Sequence, residues 1–252
     1  MPERFFIDQA PDAAGNVHID GPVARHVARS LRMRAGDAIV AVDPDGREHG
    51  VRLRDLTAAG VEGVVEWSRS ATGEPRLRIT VVQALPRVRM DDCVDILVEA
   101  GATAVQPVVS ERVVSRPDPS RTGGRTLRWQ AVAQEAAQLS GRGIVPRVHA
   151  TMDLATGLSA LAAGTRIVAA TFNGTRPLAS LEVDRAQPLA LCIGPEGGFG
   201  ARDLRILHDA GAETVHIGPR ILRTRYAGAV GCALLLAAAG DLAEPVATEP
   251  RP

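Results

Sequence analysis

Short apolar stretches separated by turn residues occupy the first 67 residues of the chain. A helical pattern interrupts them, beginning near Pro22, a residue suited to a first helical turn, and stopping before Gly36. The pattern predicts strands over residues 4–7, 17–19, 38–42, 51–56 and 61–67. Strands this short, arranged around one helix, are typical of a small barrel.

The pattern changes after residues 68–75, "SRSATGEP", which we interpret as a linker because the stretch is polar and contains glycine and proline. Apolar runs then alternate with helical patterns. They predict strands over residues 77–84, 104–109, 166–171, 189–193 and 214–217, and helices over 90–100, 126–139, 201–210 and 226–239. This alternation predicts an α/β domain with a mostly parallel sheet, in which ligands bind outside the carboxyl ends of the strands.

Charge narrows the choice of partners. The chain is neutral overall, with 29 basic and 29 acidic residues, which argues against a protein that binds nucleic acid over its whole surface. Every basic side chain among those 29 is arginine, whose planar fork holds phosphates and carboxylates. Arginine is concentrated in residues 110–147 and in the acid-free run 25–34. These stretches are either solvated helix faces or RNA contacts, and both interpretations stay open.

Cysteine and histidine usage predicts neither disulfides nor a metal. Cys93, Cys192 and Cys232 are far apart in apolar surroundings, which predicts buried thiols in a reducing compartment. The six histidines are dispersed, so we expect no metal site. The most apolar segment, residues 227–240, is shorter than the roughly 20 residues of a bilayer span. With no signal peptide pattern, the sequence predicts a cytoplasmic protein without a membrane segment.

Glycine is concentrated in "IGPEGGFGARD", residues 193–203, at the end of a predicted strand. Glycine lets the backbone turn sharply and approach a ligand closely. The loop matches neither the dinucleotide fingerprint, which opens a first βαβ unit with G-x-G-x-x-G, nor the P-loop, which needs a lysine. A polyphosphate is therefore not the expected ligand.

A second loop, "IGPRILRTRYAG" at residues 217–228, also joins a strand to a helix and repeats the Ile-Gly-Pro of the first loop. If the two strands are neighbours, the Gly-Pro turns face each other across one cleft. A cleft of backbone groups and aliphatic side chains suits an uncharged heterocycle such as adenine.

The chain resembles the ribosomal small-subunit RNA uridine-N3 methyltransferase family of the SPOUT class. The resemblance is carried by "IGPEGGF", "GPRILRT", an N-terminal "RFF", "SER" at 110–112 and "EAAQLSGR" at 135–142. An element made of His26, Leu31, Arg32, Gly36 and Asp37 adds to it. The matching motifs extend from about residue 4 to residue 240.

The resemblance implies S-adenosylmethionine-dependent methylation of N3 of a uridine in small-subunit ribosomal RNA. It implies a PUA-like RNA-binding β-barrel over residues 1–72, then an α/β SPOUT domain with a C-terminal trefoil knot over residues 73–242, and a tail over residues 243–252. It further implies that the knot holds S-adenosylmethionine, that the chain forms a homodimer, and that the partner is small-subunit ribosomal RNA or the assembled small subunit.

Methyl transfer to N3 requires loss of the N3 proton, which leaves negative charge on the uracil oxygens. Arg223 or Arg220 is suited to stabilising that charge. Glu196 is expected to accept hydrogen bonds from the uracil or the cofactor, to anchor an arginine, or to accept N–H groups of the following helix. The implied cofactor-binding residues are Thr171, Ile193, Gly194, Pro195, Gly197, Gly198, Ile217, Gly218, Ile221, Leu222 and Thr224. The implied RNA-binding residues are Arg4, His26, Arg32, Arg112 and Arg142, with a surface ion pair as the alternative role for the last two.

Two positions depart from the family's pattern. Arg225-Tyr226 follows Arg223-Thr224 where the family usually has glutamate, and Ile96-Leu97-Val98 stands where it commonly has a basic residue and a threonine. Three other interpretations are therefore kept. The first is 2′-O-ribose methylation in the same pocket. The second is a catalytically decayed RNA-binding or ribosome-assembly protein, which Arg225 favours. A nucleotide-dependent enzyme comes last, because both phosphate-binding motifs are missing.

Overall fold

The computed structural model of the chain describes residues 2–57, 60–87, 89–114 and 122–243. It divides into two units. One comprises Met1–Glu74 with Ala137–Val145, and the other Pro75–Ala136 with Pro146–Pro252. The residues of the expected tail from position 244 onward lie outside the described part of the chain.

The first unit is a curled five-stranded sheet with the strand order β1-β3-β4-β5-β2. Its elements are β1 (Glu3–Phe6), β2 (Asn16–Asp20), α1 (Gly21–Arg25), β3 (Ala38–Val42), β4 (Arg47–Leu56) and β5 (Gly60–Ser70). β1 pairs with β3 in parallel, and the other neighbours are antiparallel. Alternate residues such as Phe5, Val17 and Ile19 point into one apolar core, which α1 closes with Ala24.

Two sequence-based expectations in this unit were wrong in extent. The helix expected to continue almost to Gly36 is α-helical only over α1, passes into a π-helical turn at His26–Ser30, and is followed by Arg32 in the left-handed region at φ 54°. The expected linker also starts too early, because β5 continues to Ser70 by pairing with Arg47. Cross-strand hydrogen bonding extends a strand through polar residues that show no hydrophobic alternation.

The second unit has a parallel sheet with the order β11-β13-β10-β12-β6-β7-β8, and β9 pairs with β7. Its strands are β6 (Ile79–Ala84), β7 (Ala104–Val109), β8 (Arg147–Val148), β9 (Met152–Asp153), β10 (Arg166–Ala170), β11 (Arg176–Pro177), β12 (Leu189–Ile193) and β13 (Glu213–His216). The helices are α2 (Met90–Glu99), α3 (Thr122–Leu139), α4 (Leu154–Ser159), α5 (Ala201–Asp209) and α6 (Thr224–Ala238). The long elements were all predicted, whereas β8, β9, α4 and β11 were missed because elements of two to six residues carry little periodicity.

Two glycines let α6 lie close against α2 and the sheet. A Cβ on Gly228 would come within 2.7 Å of Leu97, and one on Gly231 within 2.6 Å of Leu191. This close contact explains the two buried glycines on the inner face of α6.

The three cysteines are buried free thiols, as predicted. Burial raises the pKa of Cys192 to about 12. Burial likewise raises the pKa of Cys93 to about 12, helped by the nearby carboxylates of Asp92 and Glu196. Within the described residues, no helix combines the length and apolar character needed to cross a bilayer. The same part of the chain holds no group of three or more His, Cys, Asp or Glu side chains that could bind a metal ion.

Candidate functional site

Three neighbouring strands of the second unit end at one edge of the sheet, and predicted site residues follow each of them. Thr171 follows β10, Gly194 follows β12 and Ile217 follows β13. The condition that the strands before the two Gly-Pro turns are direct neighbours is not met, because β10 pairs with both β12 and β13 and lies between them. The two Gly-Pro turns therefore flank the Thr171 loop, and all three loops share the carboxyl edge.

The glycine loop after β12 is a tight turn built from bare backbone. Gly198 donates its N–H to the carbonyl of Pro195 at 2.8 Å, and its φ of +67° is a conformation that side chains disfavour. A Cβ on Gly194 would come within 3.1 Å of the backbone at Gly198 and Phe199. The glycines are thus needed for the turn itself and leave peptide groups uncovered at the edge of the sheet.

Two carboxylates that the sequence did not reveal hold this loop. Asp203, only 2% exposed, accepts the N–H of Gly200 at 2.9 Å and that of Glu111 at 3.0 and 3.1 Å. The Glu111 side chain in turn accepts the N–H of Arg202 at 2.9 Å. The "SER" segment and the start of α5 are therefore joined by reciprocal hydrogen bonds around the glycine loop. Only the "GARD" spacing of Gly200 and Asp203, which is that of an N-terminal helix cap, could have indicated part of this network.

Arg112 is exposed and lies against the glycine loop. Its Nη1 donates to the carbonyl of Gly197 at 2.6 Å, and its Cδ is 3.4 Å from the place a Cβ on Gly197 would occupy. Among the described residues, Arg112 forms no ion pair, which was the alternative weighed for it. Contact with RNA stays a prediction for this arginine.

Glu196 is exposed and accepts the backbone N–H of Arg87 at 3.0 and 3.1 Å, one bond to each carboxylate oxygen. This contact fixes the main chain at Arg87 and involves no guanidinium, so the roles expected for Glu196 toward the uracil, the cofactor or an arginine stay predictions. The helix that follows the loop is capped by Asp203 instead.

The loop after β13 presents its polar side chains to solvent. Gly218 has φ +113° and donates its N–H to Nδ1 of His216 at 3.3 Å. Arg220 and Arg223 are exposed, and Ile221 is 82% exposed. Leu222 is partly buried, whereas Thr224, the first residue of α6, is buried. The two arginines expected at the reaction centre are therefore free to meet a ligand at this edge.

Arg225, which departs from the family's pattern, points toward α2. Its Nη1 lies 3.3 Å from Oδ2 of Asp92, and its guanidinium lies 4.7 Å from the centre of the Tyr226 ring. The Nε of Arg225 is buried without a partner among the described residues. The reversed charge is thus matched by a carboxylate on α2.

The remaining predicted RNA-binding residues belong to the first unit. His26 and Arg32 are exposed, while Arg4 is partly buried and contacts Glu48 at 2.8 Å. Arg142 is only 2% exposed and donates to both carboxylate oxygens of Glu74, at 3.2 and 2.8 Å. RNA contact stays a prediction for all of them, and the burial of Arg142 argues for a structural role of its side chain.

Replacing Glu74 with alanine is expected to lower the free energy of unfolding of the first unit by about 3–5 kcal/mol, the usual cost of breaking a buried ion pair. Glu74 also accepts the N–H groups of Gly143 and Ile144 at 3.0 Å each, so the substitution removes the carboxylate from a buried guanidinium and the acceptor from two backbone donors. Urea denaturation measures the change. Glu62→Ala, which removes an exposed pair with His18, is the matched control and should change stability little. Equal effects of the two substitutions would contradict the structural role of Glu74.

A cavity of about 390 Å³ in the first unit is lined in part by Asp43, His49 and Ser68. His49 Nδ1 lies 2.7 Å from Ser68 Oγ, and His49 Nε2 lies 3.0 Å from Asp43 Oδ2. Asp43 also accepts the N–H groups of Asp45 and Arg47, so it closes the turn between β3 and β4. Burial raises the pKa of Asp43, but these hydrogen bonds outweigh it and the pKa lies below its usual value. The cluster is explained by the hairpin that it stabilises.

Comparison with known proteins agrees with both units. The family described as "RNA methyltransferase domain" matches residues 73–236, and that described as "RNA methyltransferase PUA domain" matches residues 19–66. The chain is 32% identical over 233 residues to ribosomal RNA small subunit methyltransferase E of Mycobacterium bovis, covering 90% of this chain and 88% of that protein. It is 27% identical over 239 residues to the protein of that name from Bacillus subtilis, with coverages of 89% and 92%.

A solved structure extends the comparison to three dimensions. The crystal structure of ribosomal RNA small subunit methyltransferase E from Neisseria gonorrhoeae, bound to S-adenosyl methionine, has a TM-score of 0.83 and 28% identity to this chain. The similarity covers 92% of this chain and 96% of that one. Since the methyltransferase match alone spans residues 73–236 and includes all three site loops, the chain belongs to the RNA methyltransferase family, with the family's PUA domain before it.

Proposed function

We propose that this protein transfers a methyl group from S-adenosylmethionine to N3 of a uridine in small-subunit ribosomal RNA. The observation that carries the proposal is the convergence of three loops, beginning at Thr171, Gly194 and Ile217, at one carboxyl edge of the parallel sheet. Membership of the RNA methyltransferase family and the small-subunit activity named for the relatives give the reaction class. The uridine N3 acceptor follows from the resemblance in "IGPEGGF" and "GPRILRT".

The loops fit an adenosine-containing cofactor. Their exposed backbone has no Cβ at Gly194, Gly197 and Gly198, and nothing lies within 4 Å of where a Cβ on Gly218 would be. Uncovered N–H and C=O groups can hydrogen-bond the edge of an adenine or a ribose, while partly buried Ile217 and Leu222 can contact its faces. Thr171, Ile193, Pro195, Ile221 and Thr224 complete the proposed cofactor set. When bound, the cofactor supplies an electrophilic methyl group on a sulfonium.

The two arginines of the loop after β13 have the positive charge that the uracil acceptor requires. Loss of the N3 proton spreads negative charge onto O2 and O4 of the uracil, and a guanidinium stays protonated while it donates hydrogen bonds to such oxygens. Arg223 and Arg220 are exposed, and their side chains make no hydrogen bond to another described residue. Glu196 contributes by fixing Arg87 beside the glycine loop rather than by taking the N3 proton. The Watson–Crick edge of the target must be unpaired to be reached.

The organisation around this site is part of the same proposal. A PUA-like unit over residues 1–72 binds RNA through Arg4, His26 and Arg32, and Arg112 also contacts RNA, whereas Arg142 supports the first unit from its buried ion pair with Glu74. The α/β domain over residues 73–242 contains a C-terminal trefoil knot and works as a homodimer in the cytoplasm. The substrate is the small-subunit RNA or the assembled small subunit.

Product analysis tests the proposal. Small ribosomal subunits that lack N3-methyluridine are incubated with labelled S-adenosylmethionine and the protein, and the nucleosides are identified by mass spectrometry. We expect N3-methyluridine at one position. A 2′-O-methylated nucleoside would assign the site to ribose methylation instead. Binding of RNA without any transfer, and without stabilisation of the fold by S-adenosylmethionine, would identify a decayed RNA-binding protein.

A further inference from the structure

Phe172 is an exposed aromatic side chain in a chain that has few of them. The sequence contains four Phe, one Tyr and two Trp, and Phe5, Phe199 and Trp129 are buried in the structure. Phe172 is 63% exposed and directly follows Thr171 at the end of β10. Its position on the middle of the three site loops sets it apart from a solitary apolar residue elsewhere on the surface.

The glycine loop holds the Phe172 ring in place. Its Cε2 and Cδ2 lie 3.0 and 3.4 Å from where a Cβ on Gly198 would be, so the ring rests on bare backbone with one edge and leaves most of its surface open. Any side chain at residue 198 would displace the ring as well as strain a backbone at φ +67°. The ring is therefore presented to the site in a defined position.

Arg112 lies against Gly197 in the same way that Phe172 lies against Gly198. The Cδ of Arg112 lies 3.4 Å from where a Cβ on Gly197 would be, and its Nη1 donates to the carbonyl of Gly197. An exposed guanidinium and an exposed aromatic ring thus lie against two consecutive glycines. A flat ring for stacking a base next to a cation for the backbone is the combination by which proteins hold unpaired nucleic acid.

We propose that Phe172 is the stacking platform for the extruded target base of the RNA, with Arg112 contacting the phosphate backbone beside it. The inference rests on the proposed function and adds a specificity-determining residue to it. Stacking on Phe172 orients the plane of the uracil relative to the cofactor loops, so that its Watson–Crick edge can face them. The cofactor has a separate set of contacts, which are mostly backbone groups.

The test measures methyl transfer to small ribosomal subunits by the wild type and by Phe172→Ala, Phe172→Leu and Phe172→Trp. Because one stacked base accounts for a substantial share of binding, we expect Phe172→Ala to lower kcat/KM by about 10- to 100-fold. Phe172→Leu keeps an apolar contact with Gly198 but has no aromatic face, so it should stay low, whereas Phe172→Trp should recover most of the activity. Leu127→Ala, at a residue that is 74% exposed on α3, is the control and should be unchanged.

The affinity for S-adenosylmethionine, measured by calorimetry, shows whether Phe172 contacts the target base or the cofactor. We expect it to be the same for all the Phe172 variants. A loss of cofactor affinity that equals the loss of kcat/KM would overturn the inference by assigning the ring to the cofactor. Normal transfer by Phe172→Ala, or full activity of Phe172→Leu, would overturn it while leaving the proposed function intact. No transfer by the wild type would overturn both.

Discussion

Replacing Arg223 with alanine is expected to lower kcat for methyl transfer by about 10²–10³-fold, the usual cost of removing one donor that stabilises developing charge. Arg223 is exposed, and its extended backbone, with φ −63° and ψ 144°, makes it the residue that leads into α6. Its neighbour Thr224 is buried, so the main chain at this point is held by the core while the guanidinium reaches outward. Such a side chain can meet the uracil oxygens without contributing to the stability of the fold.

The matched control for this prediction is Arg205→Ala. Arg205 is also exposed and lies on α5, and its side chain makes no hydrogen bond to another described residue. It should keep normal activity. Arg223→Lys keeps the charge but loses the planar fork, so partial activity is expected. If Arg223→Ala stays within twofold of the wild type while Arg220→Ala loses activity, the charge-stabilising role belongs to Arg220.

Asp203→Ala is expected to lower the free energy of unfolding of the second unit by about 3 kcal/mol, since each buried donor left without a partner costs about 1–3 kcal/mol. The carboxylate is 2% exposed and is the acceptor for the N–H groups of Gly200 and Glu111. It also places a negative charge in the first turn of α5, where the helix dipole favours it. Urea denaturation measures the loss, and Asp209→Ala, at an exposed residue of the same helix, is the control.

The same substitution should weaken binding of S-adenosylmethionine. Glu111 and Gly200 lie 92 and 3 residues from Asp203, so the carboxylate joins the "SER" segment to the glycine loop. Without it, the loop is expected to leave the conformation that exposes its peptide groups, and calorimetry should show a lower affinity. Unchanged cofactor affinity in a destabilised Asp203→Ala variant would show that the network supports the fold alone.

Local sequence patterns predicted most of the fold because the long elements bury regular apolar faces. The strands at 38–42, 104–109 and 189–193 were placed with correct bounds, since 38–42 and 189–193 are continuous apolar runs and 104–109 is interrupted only by Gln106 and Pro107. The glycine loop after β12 was found because its composition is unusual enough to require a structural reason. Errors occurred where backbone hydrogen bonding rather than hydrophobicity defines an element, as at the end of β5 and in the π-helical turn after α1.

The sequence by itself determined the two kinds of domain, the order of their main elements and the two glycine-containing loops, because these depend on periodicity and on turn chemistry within a few residues. Only the tertiary structure decided that β10 lies between β12 and β13, that Asp203 and Glu111 hold the glycine loop, and that Arg142 is buried against Glu74. The hydrogen-bonded partners are far apart in the sequence: Arg142 and Glu74 are separated by 68 positions, and Glu111 and Asp203 by 92. The packing of whole helices and strands brings such pairs together, and the sequence around one partner does not predict the other.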